Sequence, residues 1–313
     1  MLELSVVIPT YNRKEVLKKT LETLFSQTYP KGSYEIIVVD DGSTDSTEEM
    51  LKSLKSPCTL KYLRQAPSKK GPAAANNLGI KNASGDFILF INDDIIASPE
   101  LVEEHMKFHK KYKNIIVQGK VINVPSLEDL TLRHKGYAGG YSDISFGYFT
   151  TWNASAPKKI LIEAGLFDED FVKLSWEDVE FGFRLRKRGI KQKSNPLALG
   201  YHYKKPFTLA DLESIKGKSI EMGHNGVLYY RKHPCLEVKV SVQAFWLPFL
   251  IHSLLRWIIN SIDREKILNY LKSLEERGRF RLLGFLVGLA GYYWYLTGVK
   301  KAWTSQSSSS AGM

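Results

Sequence analysis

Short apolar runs alternate with helix-like segments through the first third of the chain, and this alternation constrains the fold more than any other feature. The predicted strands are 4–8, 35–39, 60–63 and 87–91, and the predicted helices are 14–27, 45–54 and 72–82. Strands separated by helices of this length indicate βαβ units and a mainly parallel sheet. Because the strands are continuously apolar, helices should cover both sheet faces. The sequence therefore predicts an α/β, Rossmann-like domain.

Polar segments follow three of these strands, at 9–13, 40–43 and 92–94. Right-handed crossovers place the carboxyl ends of parallel strands at one edge of a sheet, where such sheets bind ligands. We therefore expect the three segments to contribute to one site.

The composition changes near residue 240. The segments 240–262 and 282–299 are strongly apolar, and arginines and lysines flank the second one on both sides. The chain has a formal net charge of +11, and residues 230–303 contain 12 Lys and Arg against 5 Asp and Glu. Basic charge interleaved with apolar runs favours a lipid surface over nucleic acid as a partner. Diffuse solubilising charge is the alternative.

We predict a helical membrane-associating region over 231–303 and a disordered tail over 304–313. The run 282–299 is shorter than the about 20 residues that a spanning helix needs. Trp246, Arg256 and Trp257 in the other run are typical of an interfacial helix. Monotopic attachment is the preferred interpretation, with a spanning helix or a buried pair of soluble helices as alternatives.

The cysteines and the first residues bear on location. Cys58 and Cys235 have no metal-type spacing and are too few for a disulfide framework, which fits a reducing cytosol. The chain enters its first strand directly, so no signal peptide is expected. We predict a cytoplasmic protein, peripheral or monotopic at the inner face of the cell membrane.

Adjacent carboxylates end the strand 87–91, in the sequence Asn92-Asp93-Asp94. Mg²⁺ and Mn²⁺ prefer oxygen ligands, usually one or two carboxylates plus substrate phosphates. A metal there would neutralise a diphosphate leaving group, but a plain turn is the more frequent meaning of Asp-Asp at a strand end. His202 follows another predicted strand and is a candidate further ligand, although a lone histidine is usually structural.

Two further segments suit a nucleotide. Asp41, after the second strand, can accept a hydrogen bond from a nucleobase ring N–H, or can cap a helix. The loop Lys69-Lys70-Gly71 leads into a helix of small residues that contains Asn76. A diphosphate can approach such a helix start closely, but the lysines can also be ordinary solvated charge.

The segment Ser175-Trp176-Glu177-Asp178 opens a predicted helix over 175–188. Ser175 and Asp178 fit a capping box, and acidic residues stabilise a helix start electrostatically. The functional alternative makes Asp178 a general base that takes a proton from an acceptor hydroxyl, with Glu177 holding the acceptor.

These segments, in this order, resemble the GT-A fold glycosyltransferases of family 2. The segments that carry the resemblance are 5–13, 35–45, 71–79, 92–94, 153–155, 163–168 and 176–185, within roughly residues 1–205. Each motif alone is moderately specific, whereas the ordered set is highly specific. The resemblance implies a catalytic domain over 1–230, with a nucleotide-binding half over 1–115 and an acceptor half over 116–230.

The resemblance also implies roles for individual residues. The donor-binding candidates are Pro9, Thr10, Tyr11, Arg13, Asp41, Lys70, Gly71, Asn76, Asn92 and Asp93. The acceptor-binding candidates are Trp152, Asn153 and Trp176. Asp94 and His202 would bind Mn²⁺ or Mg²⁺, and Asp178 with Glu177 would be catalytic.

Two positions depart from the family pattern. The first aspartate of its Asp-x-Asp motif is Asn92 here, which leaves the metal-binding end intact. The family often has arginine where this chain has Asn76, so phosphate neutralisation falls to Lys69, Lys70 or Arg64.

The predicted function is an inverting transfer of a sugar from a nucleotide-diphosphate sugar to a hydroxyl of a glycan or lipid-linked acceptor. We place this reaction in the synthesis of cell-envelope polysaccharide or glycolipid. One alternative is a sugar nucleotidyltransferase, although the segment 9–12 does not look like its phosphate loop. The other is a catalytically inactive, membrane-attached binding protein on the same fold.

Overall fold

The computed structural model describes residues 2–66, 68, 70–124, 148–172, 175–203, 208–261 and 264–305, except the side chains of 259, 260 and 264. The chain divides into two compact units. The first comprises Met1–Val172 and Glu177–Lys205, and the second comprises Lys173–Trp176 and Pro206–Met313.

The described part of the first unit is built on an eight-stranded sheet. Its strands are β1 Leu4–Thr10, β2 Tyr34–Asp40, β3 Thr59–Arg64, β4 Phe87–Ile91, β5 Ile95–Ala97, β6 Ile115–Val124, β7 Asn153–Pro157 and β8 Lys191–Tyr203. Its helices are α1 Lys14–Phe25, α2 Thr47–Ser53, α3 Pro72–Asn82, α4 Leu101–Lys111, α5 Lys158–Glu163 and α6 Glu177–Lys187. The strands and helices expected before residue 92 are confirmed, each within two residues at either end.

The sheet order is β3-β2-β1-β4-β7-β6-β8-β5. Strands β1 to β4 pair in parallel, and so do β6 and β8. The strands β7 and β5 pair antiparallel with their neighbours. Among the described residues four of the seven strand pairings are parallel, so the expected mainly parallel sheet is confirmed. The antiparallel members are β7 and the short edge strand β5, whose pairing the local sequence does not indicate.

Two apolar layers cover the two faces of the sheet. Alternate residues of a strand point to opposite faces, so Val6 packs in one layer and Val7 in the other. The first layer includes apolar residues of α1 and α4, and the second includes those of α3, α5 and α6. In the second layer Phe90, Phe149 and Phe181 meet edge to face, with ring centroids 5.6 and 5.7 Å apart. The expectation that helices cover both faces is confirmed.

The second unit is helical over its described residues. It contains α7 Leu212–Lys232, α8 Leu236–Ser241, α9 Trp246–Ser261, α10 Arg264–Glu276 and α11 Phe280–Thr304. The boundary between the units lies near residue 205, earlier than the expected boundary near 230, because α7 packs along α11. Residues 306–313 of the expected disordered tail lie outside the described residues.

The apolar segment expected over 240–262 is two helices. Gln243 has a left-handed backbone with φ of 56°, and this turn separates α8 from α9. Pro248 is tolerated because it lies in the first turn of α9, where backbone N–H groups have no helical partner. By length and composition alone, Leu236–Ile258 and Phe280–Thr304 are each apolar enough to cross a membrane, with a mean hydropathy of 1.4.

Glycines allow α7 and α11 to approach closely. A Cβ atom at Gly298 would lie 2.1 Å from the carbonyl oxygen of Ile220, and one at Gly223 would lie 2.2 Å from that of Tyr295. Backbone atoms of a helix cannot move aside without breaking its hydrogen bonds. Glycine is therefore required at both crossing points.

We expect Gly298→Ala to destabilise the second unit by about 1–3 kcal/mol, the usual cost of overpacking. Gly288→Ala is the matched control, because it lies in the same helix with no atom within 4 Å of the added methyl group. That change should be neutral or stabilising, since alanine favours a helix interior over glycine by about 1 kcal/mol. Thermal unfolding of both variants in the same detergent measures the difference. A Gly298→Ala protein as stable as the control would contradict the helix pairing.

Candidate functional site

The carboxylates Asp93 and Asp94 lie at the carboxyl end of β4 and are only 5% and 6% exposed. The Arg13 guanidinium spans both, with Nη1 3.0 Å from Asp93 Oδ1 and Nη2 2.9 Å from Asp94 Oδ2. The Thr10 hydroxyl, at the end of β1, donates to Asp93 Oδ2 at 2.8 Å. The segments 9–13 and 92–94 therefore meet at one sheet edge, as the strand pattern predicted.

His202 approaches the same carboxylate from β8. Its Nε2 lies 3.2 Å from Asp94 Oδ2, and its Nδ1 lies 2.7 Å from Asn123 Oδ1 on β6. The short strand β5 produces this meeting, because Ile95 pairs with His202 and the Tyr203 N–H donates to the Asp94 carbonyl. A cation bound here would take the place of the Nε2 proton in the hydrogen bond with Asp94, while Nδ1–H donates to the amide oxygen of Asn123.

The two carboxylates differ in their electrostatics. Burial raises the pKa of the Asp93 carboxyl to about 6, although the charge of Arg13 opposes this change. Burial acts in the same direction on Asp94, but the hydrogen bond with His202 and the charge of Arg13 outweigh it, so its pKa is lowered. Asp94 therefore stays ionised to a lower pH than Asp93.

Asp94 and His202 fit a divalent cation that also binds phosphate. Asp94 Oδ1 is buried with no hydrogen-bond partner, and Oδ2 faces the imidazole nitrogen. Among the described residues no group of three or more His, Cys, Asp or Glu side chains is placed to hold a metal. Two protein ligands are nevertheless enough for Mg²⁺ or Mn²⁺ when substrate phosphates and water complete the coordination.

Asp41 connects the loop after β2 with the loop between β3 and α3, at the same sheet edge. It accepts hydrogen bonds from Gln65 Nε2 at 2.7 Å and from the Gly71 N–H at 3.0 Å. Burial raises the pKa of this carboxyl, against the effects of the Gly71 N–H and the Lys70 charge. Gly71 has φ of +89°, and a Cβ atom there would lie 1.9 Å from the Val172 carbonyl oxygen. Only glycine fits at this position.

The loop after β1 is held to the loop after β2. The Asn12 N–H donates to Ser43 Oγ at 2.8 Å, and the Lys14 N–H donates to Asp45 at 2.9 Å. Pro9 lies in β1. Tyr11 remains 57% exposed between these anchors, so its ring is accessible for stacking.

The first turns of α3 contain a second buried polar group. Asn76 is 1% exposed, and both its amide nitrogen and its amide oxygen lack a hydrogen-bond partner. An unpartnered buried amide costs free energy, so it indicates a polar ligand that completes the site. Lys70 is exposed beside this helix, Arg64 donates to the Ser43 carbonyl, and Lys69 lies outside the described residues.

Asp178 lies in the first turn of α6. Its carboxylate accepts the N–H of Val179 at 2.7 Å and also the N–H of Thr151. Burial raises the pKa of this carboxyl to about 6, although these backbone donors act against it. The helix begins at Glu177 rather than at 175, because Ser175 and Trp176 have left-handed φ values of 96° and 73°. Such backbone strain is frequent at functional sites.

Two adjacent residues connect Asp178 with Asp94. The Thr151 N–H donates to Asp178, and the Trp152 ring meets the His202 ring edge to face at 6.1 Å. His202 in turn contacts Asp94. A continuous chain of contacts within the first unit therefore runs from the carboxylate at the start of α6 to the carboxylates at the end of β4.

Comparison with known proteins gives the family to which the chain belongs. The sequence profile described as Glycosyl transferase family 2 matches residues 5–167, about half of the chain. The chain belongs to glycosyl transferase family 2. The predicted resemblance is confirmed.

Curated relatives of the chain are consistent with this family. The chain is 30% identical over 290 residues to a chondroitin synthase of Escherichia coli, with 78% of this chain and 42% of that protein covered. It is 28% identical over 247 residues to a dolichyl N-acetyl-α-D-glucosaminyl phosphate 3-β-D-2,3-diacetamido-2,3-dideoxy-β-D-glucuronosyltransferase of Methanococcus voltae, with 72% of this chain and 76% of that protein covered. The chain spans about half the length of the first curated relatives it matches.

A mannosyltransferase of Pyrobaculum calidifontis, solved with GDP-Man and Mn²⁺, shares the fold of this chain. The TM-score is 0.63 at 16% identity, with 96% of this chain and 87% of that chain covered. Together with the mixed sheet and its helical layers, this likeness confirms the predicted GT-A fold.

The acceptor-side candidates of the glycosyltransferase lie in different surroundings. Asn153 is fully buried in β7, where its Oδ1 contacts His105 Nε2 and its Nδ2 donates to the carbonyls of Lys120 and Ala198. These contacts leave no free amide proton and argue against the expected acceptor contact. Trp176 belongs to the second unit, where Nε1 donates to the Met222 carbonyl at 2.9 Å. Asn92 supplies a carbonyl to the turn that leads into β5.

Three residues of this edge were missed in the sequence. Gln65 directly follows β3, so the rule that identified the other strand ends could have found it. Asn123 and Thr151 lie in a region without clear periodicity, and their roles depend on contacts across the sheet. No local sequence signal distinguishes them.

Proposed function

We propose that this glycosyltransferase moves a sugar from a nucleoside-diphosphate sugar to a hydroxyl group and inverts the anomeric carbon. The observation that carries the proposal is the chain of contacts from Asp94 through His202 and Trp152 to Thr151 and Asp178. It supports a donor side and a base side around one reaction centre, which an in-line displacement requires.

The donor side is assigned from the geometry of the sheet edge. Tyr11 is exposed for stacking on a nucleobase, and Asp41 keeps acceptor capacity for a ring N–H. Asp93 is positioned by Thr10 and Arg13 for the ribose or the transferred sugar. Asn76 and Lys70, at and beside the start of α3, would face the diphosphate. Mn²⁺ or Mg²⁺ bound by Asp94 and His202 would supply positive charge that stabilises the departing diphosphate.

The base side is assigned to Asp178. Its carboxylate takes the proton of the acceptor hydroxyl as the acceptor oxygen bonds to the anomeric carbon and the bond to the diphosphate oxygen breaks. A pKa near 6 makes Asp178 a stronger base than an ordinary carboxylate while it stays ionised at neutral pH. Glu177, buried beside it, would help to hold the acceptor.

The acceptor is proposed to be a glycan or a lipid-linked saccharide in the synthesis of cell-envelope polysaccharide or glycolipid. The relatives support this class, since one is a chondroitin synthase and another is named for a dolichyl-linked sugar phosphate. The family match favours this reaction over a sugar nucleotidyltransferase. The presence of Asp41, Asp94 and Asp178 together argues against an inactive binding protein.

Attachment to the cytoplasmic membrane surface is proposed from α9. Its exposed apolar residues are Trp246, Leu247, Leu250, Leu254, Trp257 and Ile258. At 100° per residue they fall on one side of the helix, while His252 on the other side is buried. Arg277, Arg279 and Arg281 are exposed at the turn between α10 and α11. An apolar stripe with basic residues is the pattern of a helix lying in a membrane interface.

Donor binding is tested by thermal unfolding with UDP-GlcNAc, UDP-glucose and GDP-mannose, each with and without Mn²⁺. We expect at least one sugar nucleotide to stabilise the protein in a Mn²⁺-dependent way, by roughly 2.7 kcal/mol at a hundred times Kd. Asp94→Asn should lose the Mn²⁺-dependent part, whereas Asp86→Asn, beyond the opposite end of β4, should keep it. Retention of that part by Asp94→Asn would remove Asp94 from the metal site.

The base is tested through the pH dependence of nucleotide release from the best stabilising donor. Because protonated Asp178 cannot accept a proton, kcat/KM should rise tenfold per pH unit up to about pH 6 and then level off. Asp178→Asn should lower kcat by about 10²–10⁴-fold and should remove the rise of kcat/KM below pH 6, while donor binding persists. Asp170→Asn, an exposed carboxylate of the same unit, is the control. Near-normal turnover by Asp178→Asn would exclude the assignment.

Membrane attachment is tested by flotation with phosphatidylcholine vesicles with and without phosphatidylglycerol. The wild-type protein should float with the anionic vesicles, and a Trp246→Ser, Trp257→Ser double variant should float much less. Leu197→Ser removes an equally exposed apolar side chain in β8 and should have no effect. Wild-type protein that stays with the unbound fraction would contradict attachment.

A further inference from the structure

One guanidinium holds both acidic residues at the end of β4. Arg13 reaches Asp93 at 3.0 Å and Asp94 at 2.9 Å, and the two carboxylates are almost completely buried. Two adjacent buried carboxylates repel one another, so a cation between them contributes strongly to keeping both ionised.

The oxygen that Arg13 contacts on Asp94 is the one that faces the imidazole. Asp94 Oδ2 lies 2.9 Å from Arg13 Nη2 and 3.2 Å from His202 Nε2. A divalent cation held between the His202 imidazole and the Asp94 oxygen that faces it would lie against Oδ2. A guanidinium and a divalent cation against the same oxygen repel each other, and the repulsion is large in a poorly solvated site, so each weakens the binding of the other.

The side chain of Arg13 can leave this position without disturbing the loop. The backbone around it is fixed by the bonds from Asn12 to Ser43 and from Lys14 to Asp45. The arginine side chain itself is 44% exposed, so solvent and a ligand can reach it. Its planar fork also matches a phosphate group, to which it can donate two parallel hydrogen bonds.

We propose that Arg13 is an exchangeable cation that competes with the divalent metal for Asp94 until a diphosphate offers it another partner. This inference rests on the proposed function, because the metal is the one assigned there to Asp94 and His202. Arg13 then makes metal and nucleotide binding mutually dependent: the free protein binds the metal weakly, and the nucleotide releases the carboxylate. Such coupling is reciprocal, so the metal strengthens nucleotide binding by the same factor.

The test measures Mn²⁺ binding by electron paramagnetic resonance, without nucleotide and with saturating UDP or GDP, whichever stabilises the protein. Arg13→Gln removes the competing charge and should bind Mn²⁺ alone on the order of tenfold more tightly than wild type. The gain in Mn²⁺ affinity on adding nucleotide should be smaller by the same factor. Lys18→Gln, an exposed residue of α1, removes one charge at a distance and should match wild type.

Arg13→Lys keeps the charge without the planar fork, so its Mn²⁺ affinity should fall between those of wild type and Arg13→Gln. Circular dichroism checks that each variant is folded. Mn²⁺ affinity of nucleotide-free Arg13→Gln that is equal to or weaker than that of wild type, or undetectable, would overturn the inference. Asp94→Asn separates the two proposals: if it retains Mn²⁺ binding with nucleotide, the metal site itself is wrong, whatever Arg13 does.

Discussion

The burial of two neighbouring carboxylates at the end of β4 is the constraint on which the candidate site depends. A carboxylate removed from water must be neutralised or paired, and here Asp93 and Asp94 are paired with one guanidinium and one imidazole. These partners come from the segment between β1 and α1 and from β8, which are distant along the chain. The fold brings them together because β1 lies beside β4 and because β5 turns back to pair with β8.

Asp94 and Asp178, at the two ends of the chain of contacts, differ in the pKa of their carboxyl groups. At Asp94 the neighbouring His202 and Arg13 outweigh burial and lower the pKa, which suits a carboxylate that binds cations. At Asp178 the described partners are backbone N–H groups, and burial raises the pKa to about 6. Environments that move the pKa values of similar groups apart are how a site separates a charge-stabilising role from a base. This contrast supports the proposed division between a donor side and a base side.

Much of this arrangement could be predicted from the sequence, and the exceptions have physical causes. The strands before residue 92 are continuously apolar and end in polar residues, so both their positions and their common edge followed from local patterns. The mixed second half of the sheet did not, because antiparallel pairing of β7 and β5 depends on partners far along the chain. Asn153 has the composition of a ligand residue, yet its amide is used within the sheet. Asn123 orients His202 from a strand without any motif.

The presence of Asn76 where the family often has arginine can be related to the position of Arg13. Where the family often has an arginine in α3, this chain has a neutral amide that is buried and without a partner. A donor diphosphate bound at this helix, as proposed, would meet less positive charge than the family pattern provides. An arginine that moves from the Asp93 and Asp94 pair to the diphosphate would restore that charge from the opposite loop. If Arg13 acts as proposed, Asn76 in α3 and Arg13 before α1 are two parts of one electrostatic arrangement. The guanidinium that would neutralise the phosphate is paired with Asp93 and Asp94 before the nucleotide binds.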